Sequence, residues 1–243
     1  SGGEGLLYVV VDSDNSKIVT ADIPELYSYS YSTNDPTLAV EYRGDGFVYG
    51  GGESDEVLKL DPSKLSGAPI DSDTGASAPI RSITYGADNF VYAGGDGGVV
   101  RKLDPSNLSG VSAYNDGNPI KAIEYGDDGF VYEGGEGPNP KIRKLDPSNL
   151  GPVDSYSASR TVEAISYGSD GFVYSATGGT SSEGKVLKLD PSNLSGGTVN
   201  TYTDNGGALN AVSYGSDGFV YTGGFDADVL KLNPSDLSVA DSY

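Results

Sequence analysis

"YGDDGFVYEGG", Tyr125–Gly135, decides the fold because it recurs. It returns as "YRGDGFVYGG" from Tyr42, "YGADNFVYAGG" from Tyr85, "YGSDGFVYSATGG" from Tyr167 and "YGSDGFVYTGG" from Tyr214. Its anchors Phe47, Phe90, Phe130, Phe172 and Phe219 are 43, 40, 42 and 47 residues apart. A decayed sixth copy, "GLLYVVV" at Gly5–Val11, sets Leu6 opposite Phe47. Each copy is followed by a second signature: "KLDPSKL" from Lys59, "KLDPSNL" from Lys102, Lys144 and Lys188, and "KLNPSDL" from Lys231. The first copy has only "TADIPEL" from Thr20.

One period reads as four short strands, A to D. "IKAIEYG" from Ile120 is strand A, "FVYEGG" strand B, "KIRKLDP" strand C, and "VDSYS" after Leu150 strand D. Each is rich in Val, Ile, Tyr and Phe and bounded by Gly, Pro, Asp or Asn. Four antiparallel strands every 40 to 47 residues predict β-propeller blades. "GSDG" between A and B fits a type I turn followed by a left-handed residue, the place of Gly46, Gly129, Gly171 and Gly218. Asn89 holds that place in one copy and tolerates it best after glycine. "DPSN" between C and D fits a β-turn with Asp first and Pro second.

Counting signatures predicts an all-β, six-bladed propeller of four-stranded antiparallel blades, the first lacking its inner strand A. The whole chain, 1–243, reads as one domain, with blades at about 5–35, 36–77, 78–117, 118–159, 160–206 and 207–243. The missing strand would come from flanking sequence or another chain, making blade 1 an assembly contact. The opening "SGG" reads as a cloning scar or processing junction, and the chain as a piece of something longer.

The run from "DGFVY" through the glycine pair to "KLDPSNL" resembles the quinoprotein-like (PQQ-like) and YVTN-type propeller repeats. The resemblance spans nearly the whole chain and implies a fold rather than a function. The chain departs from the quinoprotein pattern in having no Trp, so a bound quinone is not expected. Tryptophan–aspartate repeats are set aside for the same reason.

Composition narrows the chemistry. No His and no Cys exclude histidine-dependent triads, disulfides and thiolate zinc sites. A net charge of −20, from 35 acidic and 15 basic residues, argues against nucleic acid and anionic membranes. No apolar run nears the ~18 residues that span a bilayer. Acid spread over the whole chain, with little Lys and much Gly and Ser, resembles haloarchaeal composition.

Function is sought where the repeats differ. The A–B and C–D turns are short and nearly constant, so the Arg43-Gly44-Asp45 triplet reads as one of five equivalent turns, not an adhesion motif. The B–C and D–A connections, on the other face, vary and are acidic, with Glu53, Asp96, Glu133, Glu136 and Glu183 assigned to B–C and Asp116 to D–A. Four residues before each repeat tyrosine, strand A carries Leu38, Arg81, Lys121, Glu163 and Asn210 between constant neighbours. Arg81, Lys121, Glu163 and Asn210 are the candidate ligand-binding residues. "DSDNS" and "DSDTG" have the alternating oxygens that calcium takes, so Asp12, Asp14, Asp71 and Asp73 are the candidate metal ligands. No other cofactor is expected. The lysines before "LDP" or "LNP" are expected to pair with carboxylates or tyrosine hydroxyls. "YSYSYS" from Tyr27 suits a sugar or protein contact.

The leading expectation is a non-enzymatic binding or display module at a cell surface, extracellular or on a virion, from a haloarchaeon or its virus. It would meet a protein or glycan on the varied face, without nucleic acid and without membrane insertion. A lectin-like propeller is one alternative; a calcium-dependent lyase or hydrolase is another.

Overall fold

The structure is a computed structural model that describes residues 7–11, 17–21, 28–32, 35–43, 45–65, 67–179, 183–225 and 228–243. Its strands run in chain order and pair only with sequence neighbours. A three-stranded sheet holds β1 (Leu7–Val11), β2 (Lys17–Ala21) and β3 (Ser28–Ser32). Five four-stranded antiparallel sheets follow. The first is β4 (Thr37–Arg43), β5 (Phe47–Gly52), β6 (Val57–Leu60) and β7 (Asp71–Asp73). The second is β8 (Ile80–Tyr85), β9 (Val91–Gly95), β10 (Val99–Leu103) and β11 (Gly110–Asn115). The third is β12 (Ile120–Tyr125), β13 (Val131–Gly135), β14 (Lys141–Leu145) and β15 (Pro152–Ser157). The fourth is β16 (Thr161–Tyr167), β17 (Val173–Gly178), β18 (Gly184–Leu189) and β19 (Thr198–Asp204). The fifth is β20 (Leu209–Tyr214), β21 (Val220–Gly224), β22 (Val229–Leu232) and β23 (Val239–Ser242).

The expected six blades, the first of them without its strand A, are therefore corrected to five four-stranded ones. Five sheets match the five full copies of the Phe and Lys signatures, and no sheet closes on itself among the described residues. The decayed copy offers only its apolar run and "TADIPEL". It has no "KLDPS" turn and no lysine before one, which are the residues that lock a blade to its neighbour, as shown below.

The blades stack through their inner strands. β4, β8, β12, β16 and β20 touch in succession, and the second strand of each blade packs on the first strand of the next. The core lies between sheets: Tyr49 and Val57 of one blade bury against Ile80, Ile83 and Tyr85 of the next. Pairs of tyrosines line these seams, Tyr49–Tyr85, Tyr92–Tyr125, Tyr132–Tyr167 and Tyr174–Tyr214, with ring centres 5.6 to 6.0 Å apart. Leu60, Leu103, Leu145, Leu189 and Leu232 are all buried.

The turns follow the sequence logic. Gly46, Gly129, Gly171 and Gly218 have φ of 81° to 84°, and Asn89 has 62°. Less foreseeable are Leu108, Leu150 and Leu237, which close the C–D turns at φ of 48° to 58°. A left-handed leucine costs about 1–2 kcal/mol. Its burial, to 2% exposure or less at all three, contributes about 1.5–3 kcal/mol and offsets that strain.

Candidate functional site

The two ends of the row of blades differ in how their polar groups are used. At the end with the A–B turns, one network repeats five times. Asp45, Asp88, Asp128, Asp170 and Asp217 accept from the hydroxyls of Tyr49, Tyr92, Tyr132, Tyr174 and Tyr221 at 2.5 to 2.7 Å. The other carboxylate oxygen of each accepts from a backbone N–H two residues on. Lys59, Lys102, Lys144, Lys188 and Lys231 sit 3.9 to 4.0 Å from the ring centre of their blade's Phe. The last four also pair with the aspartate of their own blade at 2.7 to 3.1 Å. Lys59, Lys102, Lys144 and Lys188 then donate to the carbonyls of Pro105, Pro147, Pro191 and Pro234 in the following blade. Burial first, and the aspartate bond second, push the Tyr49, Tyr92, Tyr132 and Tyr174 hydroxyls far above the ordinary tyrosine value. Asp45 of the Arg43–Asp45 triplet is consumed in this network; Gly44 lies outside the described residues.

The opposite end is built around a β-bulge in every inner strand. Ladder pairing skips one residue between Thr37 and Ala39, Ile80 and Ser82, Ile120 and Ala122, Val162 and Ala164, and Leu209 and Ala211. The skipped residues are Leu38, Arg81, Lys121, Glu163 and Asn210. A bulge re-aims the extra side chain and ends regular pairing. The slot that looked variable in sequence is thus one backbone feature repeated five times.

The glycine pairs belong to the same device. A Cβ on Gly52, Gly95, Gly135 or Gly224 would stand 1.8 to 2.0 Å from the carbonyl oxygen of Pro36, Pro79, Pro119 or Ala208. Those carbonyls accept from Glu53, Asp96, Glu136 and Phe225 N–H at 3.0 to 3.1 Å, tying each D–A loop to a B–C loop beside the bulge.

The bulge side chains are not equivalent chemically. Arg81 makes a two-pronged pair with Asp96 at 2.9 and 2.6 Å and faces Glu53 at 3.7 Å. Hydrogen bonding from Arg81 holds the Asp96 carboxyl below its ordinary value. Lys121 lies 3.7 Å from Glu136. In the neighbouring loops Arg160 pairs with Glu183. Glu163 and Asn210 make no side-chain hydrogen bond or ion pair among the described residues, and Leu38 is 37% exposed. The structure brings Arg81 and Lys121 to the same end as Glu163 and Asn210, but spends the two cations on loop acids.

Other expected site residues fall elsewhere. Asp12 and Asp14 lie outside the described residues, as does Tyr27. Asp73 pairs with Arg101 at 2.8 Å, and Asp71 accepts from the Ser72 N–H. No three acidic side chains gather around a common point among the described residues. Glu133, assigned to a loop by sequence, is instead in the middle of β13 and 1% exposed. It accepts from Arg143 at 2.8 Å, and Arg143 also pairs with Asp116. Burial outweighs that pairing and raises the Glu133 carboxyl to about 7. The signal in sequence was an acid at the place of Gly50, Ala93, Ser175 and Thr222, with an arginine opposite.

No family model matches the chain, and no curated protein matches it in sequence. Solved structures do match in fold. The WD40 β-propeller domain of Doa1 superposes with a TM-score of 0.80 at 12% identity, over 98% of this chain and 78% of that one. A chain of a mitotic checkpoint complex gives 0.74 at 13% identity, over 89% and 69%. The computationally designed protein Ika8 gives 0.71 at 14%, over 96% and 73%. The absence of Trp thus excludes the tryptophan–aspartate motif but not the architecture, and the chain has the fold of a WD40-type β-propeller.

Proposed function

We propose that this propeller is a non-enzymatic binding module whose partner is a protein, met at the end that carries the five bulges. One observation carries the reading: a single bulged position holds Leu38, Arg81, Lys121, Glu163 and Asn210, all at least partly exposed, on a backbone otherwise repeated blade after blade. The backbone shape repeats there while the chemistry does not, which suits recognition of an irregular surface. The opposite end spends its turn aspartates on the tyrosine and lysine of their own blade, and Lys59, Lys102, Lys144 and Lys188 on the following blade. One structural neighbour belongs to a multiprotein complex, which supports a protein partner. The repeat's likeness to PQQ-like and YVTN-type sequences is one of fold and assigns no function, and with no Trp in the chain it does not favour quinone chemistry. The net charge of −20 supports a salt-rich setting, outside a cell or on a virion.

The test is a crosslinking capture with two variants. One replaces Arg81, Lys121, Glu163 and Asn210 together by Ala; the other is Arg43→Gly at the opposite end. Capture lost in the first and kept in the second supports the reading. The reverse pattern overturns it.

A further inference from the structure

In two of the five blades an arginine of the third strand stands opposite the middle of the second. Arg101 of β10 pairs in register with Ala93, and Arg143 of β14 with Glu133; the other three blades have Leu58, Leu187 and Leu230 there. Both arginines reach the end of the preceding blade's last strand. Arg101 pairs with Asp73 at 2.8 Å and donates to the Gly75 carbonyl, and Arg143 pairs with Asp116. The first is a one-to-one pair. The second carries a further carboxylate, because Glu133 also accepts from Arg143 at 2.8 Å. The side chains of Glu133, Asp116 and Arg143 are 1%, 7% and 14% exposed. One guanidinium therefore serves two carboxylates in a seam that water barely reaches. Tyr114 of β11 lies near all three charged groups. β12 sets Ile123 beside Glu133, while its Lys121 faces Glu136 and its Glu124 accepts from the Tyr167 N–H. β9 and β10 bring Tyr92 and Val100 to the apolar cluster around Val131, and the Tyr92 hydroxyl turns away to Asp88. β16 covers the other face of β13, with Val162 and Ile165 against Gly134.

We propose that Glu133, Arg143 and Asp116 form a proton-operated latch on the 116–119 connection, the loop that leads into the Lys121 bulge. With Glu133 protonated, Arg143 neutralises Asp116 alone and the connection is pinned. When Glu133 ionises, two carboxylates share one cation and repel each other. Asp116 is the one that yields, because it lies on a connection while Glu133 is hydrogen-bonded into the sheet on both sides. Its displacement has a path to the bulge end. The Asp116 N–H donates to the Gly98 carbonyl at 2.8 Å, and a Cβ on Gly98 or Gly137 would meet Asn118 at 2.8 or 2.6 Å. The Pro119 carbonyl accepts from the Glu136 N–H at 3.0 Å, and Glu136 faces Lys121. Burial raises the Glu133 carboxyl to about 7, so the latch holds below neutrality and loosens above it. The chain has no His and no Cys, so none of its side chains ordinarily titrates between about pH 5 and 8. What the loosened loop does to a partner rests on the reading of the bulge end as a binding surface; the latch itself does not.

The test is an NMR titration of the free protein from about pH 5 to about pH 9, a range free of ordinary side-chain titrations here. The Gly117 and Asn118 amide shifts should titrate together with a midpoint near 7. Above the midpoint their heteronuclear NOE should fall, as the loop gains motion. Thr74 and Gly75, beside the one-to-one Arg101–Asp73 pair, should do neither. In Glu133→Gln the loop titration should vanish. Asp116→Asn removes the like charge and leaves Arg143 to Glu133, so the midpoint of the Glu133 carboxyl carbon should fall by about one pH unit. Melting curves confirm that both variants fold, and the wild-type comparison of the two loops stands without them. A flat profile at Gly117 and Asn118, an unchanged NOE across the midpoint, or the same titration at Thr74 and Gly75 overturns the latch. So does a loop titration that survives in Glu133→Gln, or a Glu133 midpoint that Asp116→Asn does not lower.

Discussion

The Lys102 ammonium donates to the Pro147 carbonyl oxygen at 2.7 Å, across the seam between two blades. The same group lies 2.8 Å from the Asp88 carboxylate and 3.9 Å from the Phe90 ring centre, with its side chain 8% exposed. An ammonium taken out of water needs its three donors and its charge compensated. Here an aromatic face, a carboxylate and a backbone carbonyl do so together, and only the carbonyl belongs to the neighbour. The blade-to-blade joint is therefore a charged one set into an apolar seam.

Lys102→Met should destabilise the protein by about 2–3 kcal/mol, because it strips a partly buried carboxylate and a carbonyl of their cation. Lys231→Met removes the same side chain where no carbonyl is bound among the described residues and where the lysine is 29% exposed. It should shift the denaturant midpoint far less. Urea unfolding of both variants checks this, and equal shifts would refute the role given to the inter-blade carbonyl.

Gly95→Ala should be severe. Its Cβ would stand 1.8 Å from the Pro79 carbonyl oxygen, so the D–A loop must move and the bulge at Arg81 loses its support. A loss of at least about 3 kcal/mol is expected from such overpacking against backbone. Gly129→Ala meets nothing within 4 Å and suffers only its left-handed backbone, φ 81°, at about 1 kcal/mol. Thermal melting separates the two; comparable losses would mean that conformational freedom, not close approach, explains the glycine pair.

These contrasts show what could be read in advance. The period, the strand order within a blade and the turn glycines follow from local chemistry, which a sequence states directly. Asn89 could be placed in a left-handed turn because few residues tolerate it. The slot of Leu38, Arg81, Lys121, Glu163 and Asn210 was visible as variation, but its cause was not. A bulge is a mismatch between two strands, so it appears only once Ile80 and Ser82 are seen to face Gly95 and Gly94. The left-handed Leu108 was illegible for a related reason: tertiary burial overrides a local preference. The number of blades was not legible because "LLYVVV" and "TADIPEL" keep the spacing of a repeat without the lysine and Asp-Pro turn that make the lock. Glu133 was misplaced because an acid near a loop reads as solvated until its arginine is found across the sheet.

Glu133 gives a pH prediction. Its carboxyl is raised in the folded state from an ordinary 4.5 to about 7, chiefly by burial. The folded protein then holds a proton that the unfolded chain releases. The stabilising contribution is fully present below about pH 4.5 and is lost as pH rises through about 7. Asp96 and Asp217 are shifted the other way, so the wild-type curve alone mixes opposite slopes. Glu133→Gln removes this one titration. The melting temperature of the wild type relative to the variant should fall between about pH 5 and 8, by the equivalent of roughly 1–3 kcal/mol. A constant difference would show that Arg143 keeps Glu133 ionised throughout.

Salt should stabilise the fold. With 35 acidic and 15 basic residues, most carboxylates have no cation to face, and their mutual repulsion favours expansion. Raising salt from about 0.1 M to about 1 M shortens the screening length from about 10 Å to about 3 Å. The exposed pairs, such as Lys121 with Glu136, lose little, because such pairs contribute about 0–1 kcal/mol in any salt. The lysines in the seams are screened least, being buried. Repulsion therefore weakens more than attraction, and the melting temperature should rise with sodium chloride. A flat or falling curve would mean that the paired charges, few as they are, outweigh the unpaired ones.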